Sequence, residues 1–235
     1  MIVADSSLIA YLLIPGDKSA LADEVLLKDA DGEVFSFLYE ISLLHHPKEG
    51  TATTVELKDG EIDSLRAEVA DMRSFDMGRR YALVFCGFNG FAHCETPPDQ
   101  LAFLRAAYRH LAPGGVLALH MSYPGPAYWS EPEGKAVLEH EAPSPGGGKV
   151  QLWDNRRKDP VAQRQESDVE IWELDAADRP KAVHRFSTVQ RWVYPFELEL
   201  LFAAAGFARW DILGGFDGRP LRAPDDQMIA RAFRD

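Results

Sequence analysis

Two short apolar runs near the middle of the chain each end on residues that could hold a ligand. Residues 69–93 read VADMRSFDMGRRYALVFCGFNGFAH, in which Asp71 closes the first run and Cys86 and Gly87 close the second. Strands that are covered on both faces of a parallel sheet are apolar throughout, and such sheets bind ligands at the carboxyl ends of their strands. The pattern therefore predicts a ligand held across two strand ends.

The segments around these residues predict an α/β fold. Residues 67–70, 81–86 and 116–121 are short apolar runs typical of strands, and residues 99–111 have the spacing of a helix with one apolar face. A strand–helix–strand succession of this kind forms a right-handed parallel crossover. The three strands are therefore expected as neighbours in a mostly parallel sheet.

The next part of the chain predicts an inserted antiparallel layer. Residues 149–155, 167–174 and 182–194 alternate apolar and polar side chains, which indicates three antiparallel strands with one solvated face. Residues 124–148 before them are rich in Pro and Gly and predict loops. Because inserted segments of such folds often select the substrate, we expect this layer to cover the carboxyl ends of the parallel strands.

The chain closes with one more helix and two more strands. Pro195 stands at the start of a predicted helix over residues 195–205, and Gly206 follows its end. Residues 207–213 and 228–233 predict an antiparallel pair at the far edge of the sheet. The predicted fold class is α/β, a Rossmann-like, mostly parallel sheet with an inserted antiparallel three-stranded layer and a C-terminal antiparallel strand pair.

Charge and cysteine content narrow the kinds of partner. The 235 residues carry a formal net charge of −12 that is spread along the chain, whereas nucleic-acid backbones are bound by concentrated Lys and Arg. No apolar run approaches the ~20 residues that span a bilayer, and the first residues lack a basic leader. Cys86 and Cys94 form no CxxC pair, so reduced thiols are expected and a thiolate zinc site is not. We expect a cytoplasmic protein with a small-molecule partner and no nucleic-acid, membrane or metal partner.

Four segments carry a resemblance to a known family. They are ADMRSFDMGRRYALVFC, the following FNGFAH, then DQLAFLRAAYRHLAPGGVLALHM, and the closing YPFELELLFAAAGFARWDILGGFDG. In this order and at these spacings, residues 68–235 resemble class I S-adenosylmethionine-dependent methyltransferases, in the small-molecule branch related to sugar-amine and glycine N-methyltransferases. The resemblance implies transfer of a methyl group from S-adenosylmethionine to a small-molecule acceptor, with an amine favoured, and is compatible with a homodimer.

The resemblance also implies cofactor-binding roles at the strand ends. Asp71 corresponds to the acidic residue that accepts from the adenine amino group, and the amide and side chain of Met72 would contact the adenine ring. Cys86 and Gly87 would lie under the methionine part of the cofactor, where Gly87 permits a close approach. Phe88 lies on the loop that faces the cofactor. Asp71 as a solvated loop residue and Cys86 as a core residue stay open as alternatives.

The acceptor side involves the same loop. His93 is the candidate catalytic base, because an imidazole titrates near neutral pH and an attacking amine must lose a proton. Asn89, Tyr123 and Trp129 are the candidate substrate-binding residues. A lone loop histidine is more often a structural hydrogen-bonding residue, and much of the rate of methyl transfer comes from alignment, so this alternative is open as well.

The first part of the chain departs from the family pattern. These enzymes open with a strand and a turn of the type E/D-x-G-x-G-x-G, but Gly16, Gly32, Gly50 and Gly60 each stand alone. We therefore expect about one strand–helix–strand unit to be missing. A non-catalytic protein that keeps the methyltransferase sheet without its cofactor site is the alternative that this departure supports.

The opening itself resembles a different family. MIVADSSLIAYLLIPGDKSALADEVLLKD is similar to the start of a PIN-domain nuclease, in which the first strand ends on an acidic metal ligand, here Asp5. A magnesium-dependent ribonuclease is thus a further alternative, although Asp5 alone cannot hold a catalytic metal. Residues 34–46 predict a helix similar to the methyltransferase lead-in helix. The predicted domains are an atypical segment over 1–65 and a methyltransferase-like domain over 66–235, with an insertion over 149–194.

Overall fold

The computed structural model describes residues 2–5, 33–37, 64–68, 70–144, 147–222 and 227–235, and of the first three ranges it describes the backbone only. The chain divides into two compact units. The inserted unit is formed mainly by Pro124–Trp192, and the core unit by the chain on either side of it. Among the described helices, none is both long enough and apolar enough to cross a membrane.

Strands dominate the described residues. In chain order they are β1 (Ile2–Asp5), β2 (Glu33–Phe37), β3 (Ser64–Glu68), β4 (Tyr81–Cys86), β5 (Leu111–Ser122), β6 (Val137–Pro143), β7 (Lys149–Asp159), β8 (Arg164–Leu174), β9 (Pro180–Arg191), β10 (Arg209–Leu213) and β11 (Gln227–Phe233). The helices are α1 (Pro97–His110), α2 (Pro126–Ser130) and α3 (Pro195–Ala205), and a 3-10 helix spans Gly90–His93.

The core unit is built on a seven-stranded sheet in the order β10-β11-β5-β4-β1-β2-β3. The strands from β5 through β4, β1 and β2 to β3 run parallel, whereas β11 runs antiparallel to both β5 and β10. The pairing of β4 with β5 and the antiparallel pair at the edge agree with the sequence predictions. The predicted α/β fold class, with its mostly parallel Rossmann-like sheet, is confirmed.

The amino-terminal half of the sheet corrects three expectations. β1 lies between β4 and β2, so β3 and β4 are not the neighbours that the sequence predicted. Residues 33–37 form β2 rather than the start of a helix over 34–46, because the segment is paired on both sides, by β1 and by β3, and this pairing outweighs local helical spacing. The strand predicted over 67–70 lies earlier, over Ser64–Glu68.

The expectation of a missing strand–helix–strand unit is therefore wrong with respect to its strands. β1 and β2 occupy two positions in the sheet, and β1 pairs in parallel with β4. The remainder of the PIN-like opening and of the predicted lead-in helix falls on residues 6–32 and 38–63, which lie outside the described residues.

α1 covers the sheet with an apolar face. It begins after Thr96, whose hydroxyl oxygen accepts a hydrogen bond from the Asp99 backbone N–H at 3.3 Å, as an N-cap does. Phe103, Leu104 and Ala107 on one face of α1 are almost completely buried. These residues join the single large core cluster of the described residues.

α3 has the bounds that its sequence predicted. Proline occupies its first turn, and Gly206 ends it with a left-handed φ of 103°, which costs glycine no steric strain. Leu198 and Phe202 are fully buried in the core cluster of α1. The two helices therefore anchor the parallel strands to the antiparallel edge.

The inserted unit is a four-stranded antiparallel sheet in the order β6-β7-β8-β9. β7, β8 and β9 are the three predicted strands with longer bounds, and β6 is an additional strand in a segment predicted as loop. All residues of β6 except Ala142 are exposed. Because this strand buries neither face, its sequence, VLEHEAP, does not need the alternation of apolar and polar residues by which a half-buried strand is predicted. The expected position of this layer over the carboxyl ends of the parallel strands stays a prediction.

Candidate functional site

The carboxyl end of β4 is buried beside β5. Cys86 is 6% exposed, and Gly87 after it is also buried. The parallel register places Cys86 opposite Leu119, so the chain that leaves β4 runs beside the last residues of β5. This is the edge of a parallel sheet at which ligands bind.

The loop after β4 has an unusual backbone. Phe88 and Asn89 both have positive φ angles, 51° and 63°, in the left-handed region. Two consecutive non-glycine residues in this region are uncommon, and a bulky aromatic residue there is an outlier. Such a conformation persists only where surrounding contacts enforce it.

The contacts that enforce it come from the end of β5. The Phe88 N–H donates to His120 Nδ1 at 3.2 Å, and the Asn89 N–H donates to the His120 carbonyl oxygen at 3.0 Å. The Asn89 side-chain oxygen in turn accepts from the Ser122 N–H at 2.6 Å. The Phe88 and His120 rings meet edge to face, with their centroids 5.1 Å apart. The centroid of the Phe216 ring also lies 5.1 Å from that of the His120 ring. The loop is thus fastened to β5 at consecutive residues.

A short 3-10 helix continues from the fastened loop. The Gly90 N–H closes a turn onto the Gly87 carbonyl oxygen at 2.8 Å, and His93 is the last residue of the helix and is partly buried. Cys94 follows in the core, where burial raises the pKa of its thiol to about 12. This thiol is therefore neutral at physiological pH, whereas His93 stands at the boundary between core and surface.

Asp71 belongs to a charged chain of residues that reaches α1. Arg73 Nη2 lies 2.6 Å from Asp71 Oδ2, and the Arg73 N–H donates to Asp71 Oδ1 at 2.8 Å. These hydrogen bonds from Arg73 hold the pKa of the Asp71 carboxyl below its usual value. Arg73 Nη1 also donates to Asp99 Oδ1 at 3.0 Å, in the first turn of α1. Met72, which stands between Asp71 and Arg73 in the sequence, is partly buried against the core cluster.

The two aromatic candidates for the acceptor lie in different units. Tyr123 ends the segment of the core unit before the insertion, and its ring meets Tyr194 edge to face at 5.9 Å. Trp129 lies on α2 of the inserted unit, and its ring meets Tyr128 at 4.9 Å.

The inserted unit holds a buried polar row that the sequence did not reveal. The Trp192 Nε1–H donates to the Tyr128 hydroxyl, which donates to Gln165, and Gln165 Nε2 donates to Ser167 Oγ at 2.9 Å. The row continues to Asp154, whose Oδ2 accepts from the Ser167 hydroxyl at 3.3 Å and which is only 7% exposed. Burial raises the pKa of the Tyr128 hydroxyl well above its usual value.

Among the residues whose side chains are described, no three metal-ligating side chains come together to hold an ion.

Known proteins share this fold. The chain is 26% identical to dTDP-3-amino-3,4,6-trideoxy-alpha-D-glucopyranose N,N-dimethyltransferase from Streptomyces venezuelae, over 76% of each chain. An S-adenosylmethionine-dependent methyltransferase from Clostridium acetobutylicum superposes with a TM-score of 0.66 at 9% identity, over 99% of this chain and 83% of that one. CalS10, an amino pentose methyltransferase from Micromonospora echinaspora solved with S-adenosylmethionine bound, gives a TM-score of 0.58 at 20% identity, over 100% of this chain and 83% of that one.

The chain has the fold of S-adenosylmethionine-dependent methyltransferases. No protein-family model matches it. Within this methyltransferase fold, Cys86, Gly87, Phe88 and Asn89 are contiguous at the carboxyl end of β4, as the sequence predicted.

Asp71 is connected through Arg73 to the helix that follows this loop. Arg73 links it to the first turn of α1, the helix that follows the loop after β4. Arg73 thus links Asp71 to the start of α1, which follows the segment that holds the candidates from Cys86 to His93.

Two residues of this region escaped the sequence-based search. His120 is buried and contacts Phe88, but it lies far from the loop in the sequence, within an ordinary apolar strand. Arg73 stands two positions after Asp71, a spacing from which an Asx-type turn with a returning side chain could have been expected.

Proposed function

We propose that the chain is an enzyme that transfers a methyl group from S-adenosylmethionine to an amine of a small molecule. The observation that carries this proposal is the methyltransferase fold over nearly the whole chain, together with the 26% identity to a sugar N,N-dimethyltransferase. The relative acts on an amino sugar joined to dTDP, so an amino sugar is the first class of acceptor to test.

The donor side of the site is the segment between β4 and α1 together with Asp71. S-adenosylmethionine supplies a methyl group that is already activated as a sulfonium, so the protein has to bind and align it rather than activate it. At the carboxyl end of β4, Gly87 has no side chain, which would permit the donor to approach the backbone closely. Asp71 offers a carboxylate at the surface, with its side chain 43% exposed and its oxygens already oriented by Arg73.

These features fit the roles that the resemblance assigns. Asp71 accepts from the adenine amino group, and Met72 contacts the ring. Cys86, Gly87 and Phe88 lie along the remainder of the donor. Each role uses a group that reaches the carboxyl edge of the sheet and needs no rearrangement of the parallel strands.

The acceptor side uses the same loop. His93, at the end of the 3-10 helix, takes the proton that the amine loses, and Asn89 and Tyr123 of the core unit contact the rest of the acceptor. The Asn89 side-chain oxygen accepts from the Ser122 N–H, and Asn89 Nδ2 donates to Ser122 Oγ at 3.4 Å. Since an amide nitrogen carries two hydrogens, the second one is suited to an oxygen of the methyl acceptor.

One alternative keeps the fold and removes the activity. The sequence lacks the turn E/D-x-G-x-G-x-G, which leaves a non-catalytic methyltransferase-like protein as the second candidate. The ribonuclease alternative has less support, because the strand that ends at Asp5 pairs with β4 and β2 within the methyltransferase-like sheet.

Calorimetric titration separates the two leading candidates. We expect S-adenosylhomocysteine to release heat on binding and S-adenosylmethionine to compete with it, followed by transfer of a labelled methyl group to a dTDP-linked amino sugar. Heat without turnover on a panel of amino sugars and other amines supports the non-catalytic alternative. Absence of heat and of competition at millimolar ligand would exclude cofactor use altogether.

A further inference from the structure

The left-handed pair Phe88 and Asn89 needs an external cause. Left-handed backbone is sterically unfavourable for residues with a Cβ, and most of all for a large side chain. Neither residue is glycine, and both follow the buried end of β4 directly. Something outside the loop must therefore compensate for the strain.

His120 makes three of the contacts that hold this pair. Its carbonyl oxygen accepts from Asn89, its Nδ1 accepts from Phe88, and its ring packs against the Phe88 ring. The first contact belongs to the backbone, and any residue could make it. The other two depend on the imidazole itself.

The hydrogen bond to Phe88 also fixes the tautomer. An imidazole nitrogen that accepts from a backbone N–H carries no proton, so the neutral ring of His120 holds its proton on Nε2. In this state Nδ1 is occupied by the loop. The arrangement suits a residue that orients its neighbours better than one that exchanges protons with a substrate.

We propose that His120 is a positioning residue of the methyltransferase site. It holds Phe88 and Asn89 in their left-handed conformation and so shapes the surface, next to Gly87, against which the methyl donor binds. The inference rests on the proposed function for its consequence, ligand binding, but its structural cause can be measured in the protein alone.

Three variants of the intact chain test this role. His120→Ala removes the acceptor and the ring. His120→Asn places an amide oxygen where Nδ1 stands, and His120→Gln places it one bond farther from the backbone. The matched control is His110→Ala. His110 is also buried and also accepts from a backbone N–H, that of Met77 at 3.1 Å, but it lies directly before β5, at the opposite edge of the sheet.

Two readouts are measured on each variant: amide hydrogen exchange of Phe88 and Asn89 without ligand, and the Kd of S-adenosylhomocysteine by calorimetry. In His120→Ala we expect exchange at Phe88 to quicken at least tenfold, with a smaller change at Asn89, whose backbone acceptor remains. We also expect the Kd to rise at least tenfold. In His120→Asn, both the amide exchange rates and the Kd should stay within threefold of those of the natural protein. His120→Gln should resemble His120→Ala. The control His110→Ala should leave the Kd and the exchange rate of Phe88 within threefold of the natural values.

The outcomes separate this inference from the proposed function. If the natural protein gives no heat with the ligand, the proposed function fails, and Phe88 exchange alone then decides whether His120 holds the loop. If the natural protein binds, unchanged Phe88 exchange or an unchanged Kd in His120→Ala overturns the positioning role. Equal losses in His120→Asn and His120→Ala also overturn it, because the acceptor at the Nδ1 position would then be irrelevant.

Discussion

Arg73 donates hydrogen bonds to both carboxylate oxygens of Asp71, from its guanidinium group and from its backbone N–H. Arg73 Nε donates to Oδ1 at 2.9 Å, Nη2 donates to Oδ2 at 2.6 Å, and the Arg73 N–H donates to Oδ1 at 2.8 Å. Arg73 also reaches Asp99 on α1. The proposed adenine-binding carboxylate is therefore oriented before any ligand arrives, and preorganisation of this kind reduces the entropy lost on binding.

Replacing Arg73 should raise the pKa of Asp71. In the folded protein the hydrogen bonds from Arg73 lower this pKa, so the ionised carboxylate stabilises the fold above ~3.9 and loses that contribution as the pH falls through the folded value. Arg73→Gln should shift the Asp71 titration, followed by carboxyl carbon NMR, towards higher pH. At neutral pH the midpoint of urea unfolding should change little, because exposed ion pairs contribute little.

The matched control is Arg79→Gln, an exposed arginine in the same loop region. It should leave the Asp71 titration unchanged. A titration of Asp71 that does not move in Arg73→Gln would mean that the pair does not persist in solution.

Asp71 itself should decide cofactor affinity. Loss of a hydrogen bond to a charged acceptor costs about 1–3 kcal/mol, which corresponds to roughly 5–150-fold in Kd. Without a glycine-rich turn the starting affinity is expected to be weak, so Asp71→Ala should remove measurable binding of S-adenosylhomocysteine. Calorimetry on Asp76→Ala, an exposed aspartate of the same loop that accepts from the Gly78 N–H, provides the control.

Asp5→Ala should change that affinity little. The reverse result, with Asp5 essential and Asp71 dispensable, would contradict the assignment of the adenine carboxylate. It would mean that β1, which pairs with β4, supplies the carboxylate instead.

Elements that depend on a local sequence pattern were predicted correctly, whereas elements that depend on strand pairing were not. Cys86 and Gly87 mark a strand end because an apolar run stops at a glycine, and α3 has a proline at its start and a glycine after its end. The sequence of β2 favours a helix because its apolar spacing fits either structure, and only its pairing with β1 and β3 selects the strand.

The contact of His120 with Phe88 could not be predicted for a related reason. It depends on the register that places Cys86 opposite Leu119. A shift of one residue would turn the His120 side chain to the other face of the sheet, and no local signal in the sequence fixes that register.

Cys94 should make the protein sensitive to alkaline pH. Burial raises the pKa of its thiol from 9.0 to about 12. The stability that goes with the neutral thiol is complete below pH ~9 and is lost as the pH rises towards ~12. Since one pKa unit corresponds to ~1.4 kcal/mol, the natural protein should lose about 1–2 kcal/mol more than Cys94→Ala between pH 7.5 and 10.5 in urea unfolding.

Reactivity checks the same point independently. A thiol reagent should leave Cys94 unmodified at pH 8 in the folded protein and modify it after unfolding, because the thiolate is the reactive form. Peptide mapping distinguishes Cys94 from Cys86, and rapid modification of Cys94 in the folded protein would contradict its burial.

Lys158 should be the main polar anchor of α2 in the inserted unit. Its side chain is 1% exposed, its ammonium lies 2.8 Å from Glu131 Oε2 and 4.3 Å from the centre of the Tyr128 ring, and it donates to the Tyr128 carbonyl oxygen. Lys158→Ala removes the ion pair with Glu131 and the donor to the Tyr128 carbonyl oxygen, and it leaves a space where the buried side chain packs, so we expect the free energy of unfolding to fall by about 1–3 kcal/mol. Limited proteolysis and urea unfolding measure it.

Arg157→Ala is the matched control, since its side chain is 50% exposed on the opposite face of β7. It should change proteolysis little. Equal sensitivity of the two variants would show that the burial of Lys158 does not determine the stability of this unit.

His93 should affect the rate of methyl transfer and leave binding of the donor unchanged. The residue ends the 3-10 helix that starts directly after Asn89, so the fastened loop fixes where its imidazole can lie. A positioned general base contributes roughly 10²–10⁴-fold to a rate, and the amine acceptor has to lose a proton during transfer. His93→Ala should therefore lower kcat about 100-fold, while the Kd of S-adenosylhomocysteine stays within threefold. His93→Gln should not restore the rate, because an amide cannot take the proton. A kcat within threefold of the natural protein in both variants would assign His93 a structural role, and the rate of the enzyme would then derive from alignment of donor and acceptor alone.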